Sequence, residues 1–175
     1  MRATAILLVL GIVLAAPAAE LESRVLTHYV PQDMLETAVR KEAWTEVPLK
    51  VKGGVRKGDV VRLWAGGSID RGGDGPGQNV AGPEGVPADR AGQRLALSSE
   101  ASHAYALLFK TATGVHKARP AGKPLEIKMT KDGEKLWLGF NDERGRYQDN
   151  HLGKGLRHES DPLWVRIEVV RLIVD

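Results

Sequence analysis

A two-residue apolar alternation recurs along most of this chain. Val47, Leu49 and Val51 alternate with Glu46, Lys50 and Lys52, and Val61, Leu63 and Ala65 with Val60, Arg62 and Trp64. Leu125, Ile127 and Met129 flank Glu126 and Lys128, Leu136, Leu138 and Phe140 flank Trp137 and Gly139, and the odd positions from Leu163 to Val169 are all apolar. A period of two sends successive side chains to opposite faces, so each run predicts a half-buried strand. The apolar run Tyr105–Phe109 reads as a buried central strand. Lys131-Asp132-Gly133-Glu134 between two alternating runs predicts a hairpin. Val170 and Leu172 shift the phase by one, which predicts a bulge near Val169. Short strands, frequent turns and almost no helix make an all-β sandwich.

Two stretches do not follow this pattern. In residues 20–44, Val25, Thr27 and Tyr29 alternate like a strand, while Met34, Leu35, Ala38 and Val39 fit a helical spacing and Leu35, Thr37 and Val39 a strand; the reading leans to strand, or one helical turn. From Gly66 to Gly92 there are nine glycines and three prolines in 27 residues, too many for a ladder. This long surface excursion carries Ser68, Asp70, Arg71, Asp74, Gln78, Asn79, Glu84 and Asp89, with Gln93 just beyond.

Arg2, an apolar run of about a dozen residues against the roughly 20 of a membrane span, and Pro17-Ala18-Ala19 predict a signal peptide over residues 1–19. Residues 20–44 then join a sandwich domain over 45–175. The expected location is secreted or periplasmic, with no membrane span after cleavage. Without the leader the balance is 24 basic to 22 acidic residues, since only Arg2 is lost from 25 and 22. A net of +2 gives no reason to expect nucleic acid as a partner. No cysteine is present, so stability must come from the core, with a bound ion as a further source.

The stretch Phe140–Gly153 crowds two Asp, two Asn and two Gly into one loop. Strand parity sets Asp142 just past the end of its ladder, and a turn at Gly145 brings Asp149 and Asn150 back towards it. Such oxygens need something positive among them. Water and the nearby Arg144 and Arg146 are one answer; Asn and Asp bonding their own backbone as turns is another. A hard ion such as calcium, which takes six to eight oxygens at about 2.3–2.6 Å, is the third. The absence of Cys and of a zinc-spaced His pair disfavours a soft metal.

Asn141-Asp142-x-x-Gly145-x-Tyr147-x-Asp149-Asn150-x-x-Gly153 resembles the calcium loop of the PA-I-type galactophilic lectins of bacteria. Gly58–Gly67 resembles that family's G-D-V strand, Gly82-Pro83-Glu84-Gly85 its G-P-Q-G, and Ala106–Lys110 the strand that follows. The resemblance implies a small jelly-roll-like β-sandwich of the galactose-binding-domain kind and Ca2+ bound by the side chains of Asp142, Asp149 and Asn150. It implies two further ligands, the backbone carbonyls of Arg146 and Arg71. It also implies a carbohydrate or glycoconjugate partner, with Glu143, Asp89 and Gln93 as the sugar-facing candidates. Arg146 replaces a family threonine and Asp89 stands near a family histidine, so galactose itself is not implied. The expected function is calcium-dependent carbohydrate binding without catalysis, with a homo-oligomer possible. The alternative is a calcium-stabilised structural or protein-interaction sandwich. A hydrolase built on His103, His151 or His158 with Glu159 and Asp161 is the distant one. Those histidines read as exposed loop residues, and Ser98, Ser99 and Ser102 lie in no nucleophile elbow.

Overall fold

The computed structural model describes residues 21–72, 79–86, 94–120, 122–152 and 162–174. The expected leader and Asp74, Gln78, Asp89, Gln93, His158, Glu159 and Asp161 lie outside the described residues.

Two four-stranded antiparallel sheets face each other across one core, which makes an all-β sandwich. The first sheet runs β1 (Leu21–Tyr29), β10 (Trp164–Val174), β3 (Val60–Gly66) and β8 (Leu125–Lys128). The second runs β2 (Thr45–Val47), β9 (Leu136–Phe140), β6 (Leu107–Thr111) and β7 (Gly114–Lys117). The alternating residues meet between them: Val61, Leu63, Ala65, Ile127, Val165 and Ile167 from the first, Leu107, Phe109, Leu136, Leu138 and Phe140 from the second. A two-stranded ribbon, β4 (Ile69–Asp70) with β5 (Val80–Ala81), lies within the glycine-rich excursion.

Four expectations need correction. Residues 32–40 form a helix, α1 (Gln32–Arg40), and not a strand. Its buried residues Leu35, Ala38 and Val39 stand at i, i+3 and i+4, and that stripe outweighs the 35/37/39 alternation. β2 stops at Val47 because Pro48 has no N–H for a ladder; Leu49 and Val51 pack half-buried on the core outside any strand. No bulge interrupts β10, whose pairing with β1 and with β3 skips no residue. The phase change at Val170 marks where β3 begins, Val60 being the last partner, after which β10 continues with β1 alone.

The fourth correction concerns the Asp132-Gly133 turn. β8 pairs with β3, and β9 with β6 and β2, so this turn carries the chain between sheets and closes no hairpin. Its donors are taken elsewhere. The buried Glu134 carboxylate accepts the N–H groups of Thr130 (2.6 Å), Lys131 (3.3 Å) and Ala112 (2.9 Å) and the Thr130 hydroxyl (2.9 Å). Ala112 belongs to the β6–β7 turn, so the crossing is fastened to the second sheet. At the same end Arg171 grips Asp59 through Nε (2.9 Å) and Nη2 (2.7 Å).

The ladders also fix the opposite end. Gly66 of β3 faces Trp164 of β10, and Phe140 of β9 faces Leu107 of β6. The segments after β3, before β6 and after β9 therefore emerge together, and α1 follows β1 there.

Burial alone would raise the Glu134 carboxyl, but the Thr130 donors, with those of Ala112 and Lys131, hold it below the ordinary range. A depressed folded value contributes stability above the unfolded carboxylate range, and acid removes it on passing through the folded value. Glu134→Gln should therefore cost about 2 kcal/mol at pH 7, with the gap to wild type narrowing below about pH 4. Urea unfolding at the two pH values measures this; an unchanged gap in acid contradicts it.

Candidate functional site

Past Phe140 the chain leaves the sheet through Asn141, whose buried side chain is spent on backbone. Its Oδ1 accepts the N–H groups of Leu97 (3.0 Å) and Ser98 (3.1 Å), and its Nδ2 donates to the carbonyls of Ser98 and His103, both at 2.9 Å. Tyr147 closes the loop from inside: its buried hydroxyl donates to the Phe140 carbonyl at 2.7 Å and accepts the Asp142 N–H at 3.3 Å. Burial pushes the phenol well above the ordinary tyrosine range, against the opposing Asp142 N–H, so it keeps the proton it donates.

This framework brings Asp142, Asp149 and Asn150 together. Asp142 is 2% exposed and Asn150 fully buried. Asp142 Oδ1 accepts the Glu143 N–H at 2.6 Å, and Asn150 Nδ2 donates to the Val39 carbonyl at the end of α1 at 2.8 Å. The other oxygens have no such partner: Asp142 Oδ2, Asp149 Oδ1 and Asn150 Oδ1 are buried without a hydrogen bond. Burial pushes the Asp142 carboxyl above the ordinary range. The Glu143 N–H and the nearby Asn150 amide oppose that shift, while the charges of Asp149 and Glu143 add to it.

The excursion after β3 forms the facing wall. Asp70 and His151 exchange backbone hydrogen bonds at 2.9 and 2.8 Å. Gly72 has φ +71°, and a Cβ there would lie 2.4 Å from Asp149 Cγ, so only glycine allows this approach. Asn79 holds the stretch by donating to the Gly72 carbonyl at 2.6 Å and accepting the Arg71 N–H at 3.2 Å.

Of the expected ligands, Asp142, Asp149 and Asn150 thus share one place, with the Arg71 backbone in the strip against Asp149. The Arg146 carbonyl accepts the Asp149 N–H at a long 3.4 Å, and its Nε lies 3.8 Å from Asp149 Oδ2. Glu143 accepts the Tyr105 hydroxyl at 3.0 Å on the rim. Sequence reasoning named Asn79 only among the polar residues of the excursion and gave Gly72 and Tyr105 no part in the site; the Gly72-Gly73 doublet was the available signal for a close approach.

Each buried acceptor without a donor costs about 1–3 kcal/mol. One proton on a carboxylate would serve two of these oxygens, whereas a hard cation seated among them would serve all three. The donors are carboxylate and amide oxygens, the set that suits calcium or magnesium. No group of three His, Cys, Asp or Glu side chains suited to a metal occurs among the described residues; the third side chain here is an amide.

The histidine alternative takes a different form from the one expected. His103 is 8% exposed, not an open loop residue. Its Nδ1 lies 2.9 Å from Ser98 Oγ and its Nε2 3.3 Å from Glu100 Oε2. Ser98 Oγ also accepts the Glu100 N–H at 3.3 Å, so the group locks a local turn within six residues. His151 is exposed and contributes its backbone.

No protein-family model and no curated protein matches the chain. Among solved structures it is similar to the EclA N-terminal domain, a PllA-like lectin, at 16% identity over 86% of this chain and 97% of that one, with a TM-score of 0.40. Identity and score at that level transfer no residue or ligand from one to the other.

The Asn141 amide generates a direct expectation. Asn141→Ala strands two N–H and two carbonyl groups and should cost about 3 kcal/mol, a drop of roughly 6–12 °C in Tm. A melt in chelator measures it free of any ion; a loss within that of a surface substitution contradicts the anchoring role.

Proposed function

We propose that this chain is an exported, calcium-dependent carbohydrate-binding sandwich. The ion would be held by Asp142, Asp149 and Asn150 side chains and by the Arg71 and Arg146 carbonyls. The observation that carries this reading is the trio of buried oxygens without donors, Asp142 Oδ2, Asp149 Oδ1 and Asn150 Oδ1. The sequence resemblance of the loop supports the choice of calcium.

The saccharide half follows from coordination. Five protein oxygens leave roughly one to three positions of the six to eight that calcium takes. The Asp142 side is sealed, while the Asp149 side chain is 33% exposed, so open positions face solvent. Vicinal sugar hydroxyls replace water there at little cost; when bound, the ion supplies Lewis-acid attraction for those oxygens. This chain's residues do the rest. Tyr147 and Asn141 hold the loop in shape, Gly72 admits the second wall, and Glu143 offers a carboxylate acceptor on the rim.

A second reading, a calcium-stabilised sandwich without a sugar ligand, is favoured by the bond from Asn150 to Val39, which ties the site to α1. Calcium at about 100 times its Kd should stabilise by roughly 2.7 kcal/mol, raising Tm by about 5–10 °C over chelator. Asp142→Asn should abolish the rise; equal melting points with calcium and chelator sink the metal site. A glycan array with calcium and with chelator separates the readings. Calcium-dependent spots support the lectin reading, and a blank array beside an intact calcium shift leaves only the stabilising one.

A further inference from the structure

Two guanidinium groups lie near the candidate ion site. Arg71 Cζ stands over the Tyr105 ring, 4.1 Å from its centroid, and its buried Nε has no hydrogen-bond partner. Arg146 is exposed, with Nε 3.8 Å from Asp149 Oδ2. Tyr105 is the one non-glycine among the described residues with a left-handed backbone, φ 52°. Such a conformation persists only where its surroundings enforce it. Here it sets the ring beneath Arg71 and the hydroxyl on Glu143. The phenol feels the charges of Glu143, Arg71 and Asp142 together, so this rim adjoins the site itself.

Positive charge near a cation's seat opposes the cation. A neutral sugar's hydroxyls can accept from a guanidinium but bring no charge to offset that repulsion. An anionic group on the ligand reverses the sign: it is attracted to the ion and to both guanidiniums. A planar guanidinium fork also matches a carboxylate or sulfate by charge-assisted hydrogen bonds. The acids near these arginines are Asp149, beside Arg146, and Glu143 and Asp142, whose charges reach the Tyr105 phenol beneath Arg71. Glu143 already accepts the Tyr105 hydroxyl, and Asp149 would be engaged by the ion.

We propose that the ligand is an anionic saccharide, a carboxylated or sulfated glycan, with Arg71 and Arg146 as the residues that select its charge. This rests on the calcium-dependent carbohydrate reading and names its ligand class. By linkage, ion and anionic sugar raise each other's affinity by the same factor.

The test titrates the whole chain with three oligosaccharide series of matched backbone: neutral galactan, galacturonate and sulfated galactan. Work at about 0.15 M salt screens diffuse attraction. In saturating calcium, at least one anionic series should bind about tenfold tighter than the neutral one (about 1.4 kcal/mol). That series should also lower the calcium midpoint about tenfold. Arg71→Gln with Arg146→Gln should erase the preference, so that the anionic and neutral series bind alike. Galacturonate and sulfate series ranked against each other identify which anion is recognised. Equal or tighter neutral binding, or a preference that survives both substitutions, overturns the anionic ligand and leaves the lectin reading standing. No binding to these series or to any saccharide of the glycan array beside an intact calcium shift overturns both, and no calcium shift removes the ion on which they rest.

Discussion

One buried amide governs the loop end of this sandwich. Asn141 stands where β9 has run out of partners, and its four hydrogen bonds hold the stretches at Leu97–Ser98 and at His103 against it. Without that anchor the residues that follow would have no fixed origin. With it, Tyr147 folds back onto Phe140, Asp142 is sealed from water, and Asp149 and Asn150 arrive beside it. The loop's backbone groups are satisfied by side chains and by neighbouring backbone, while a few side-chain oxygens are left over.

The two ends of the sandwich use buried carboxylates in opposite ways. At one, Glu134 is surrounded by donors and Asp59 by a guanidinium, and both carboxyls are held below the ordinary range although burial opposes it. At the other, Asp142 has one donor for two oxygens and an acidic neighbour, and its carboxyl is pushed up. The buried carboxylates are complete in one setting and incomplete in the other, and that incompleteness is what singles out the candidate site.

Much of this was legible in the sequence because strand periodicity is local. The alternation at Val61–Ala65, Leu136–Phe140 and Leu163–Val169 gave strands and core faces directly. Pairing was not legible. Asp132-Gly133 has the residues of a hairpin turn, yet where β8 and β9 go is decided by Glu134 reaching Ala112 across the fold. α1 was obscured because Leu35 and Val39 satisfy both periods, and only the surface they pack on chooses. In the site, Asp142, Asp149 and Asn150 stood within one loop and were readable. The wall that meets them, Asp70–Gly72, is about 70 residues away in sequence, and its contact with Asp149 follows from tertiary structure alone.

The connection from β9 to β10 leaves one sheet and enters the other, and Asp70 lies on the continuation of β3. Whatever unites Asp142 and Asp149 with the Gly72 strip therefore spans the seam between the two leaves. A disulfide is one way to secure such a seam, and a chain without cysteine has none to offer. The unfinished oxygen cluster occupies the position of that missing stitch. Its reversibility would let the surrounding medium decide how firmly the two leaves are sewn.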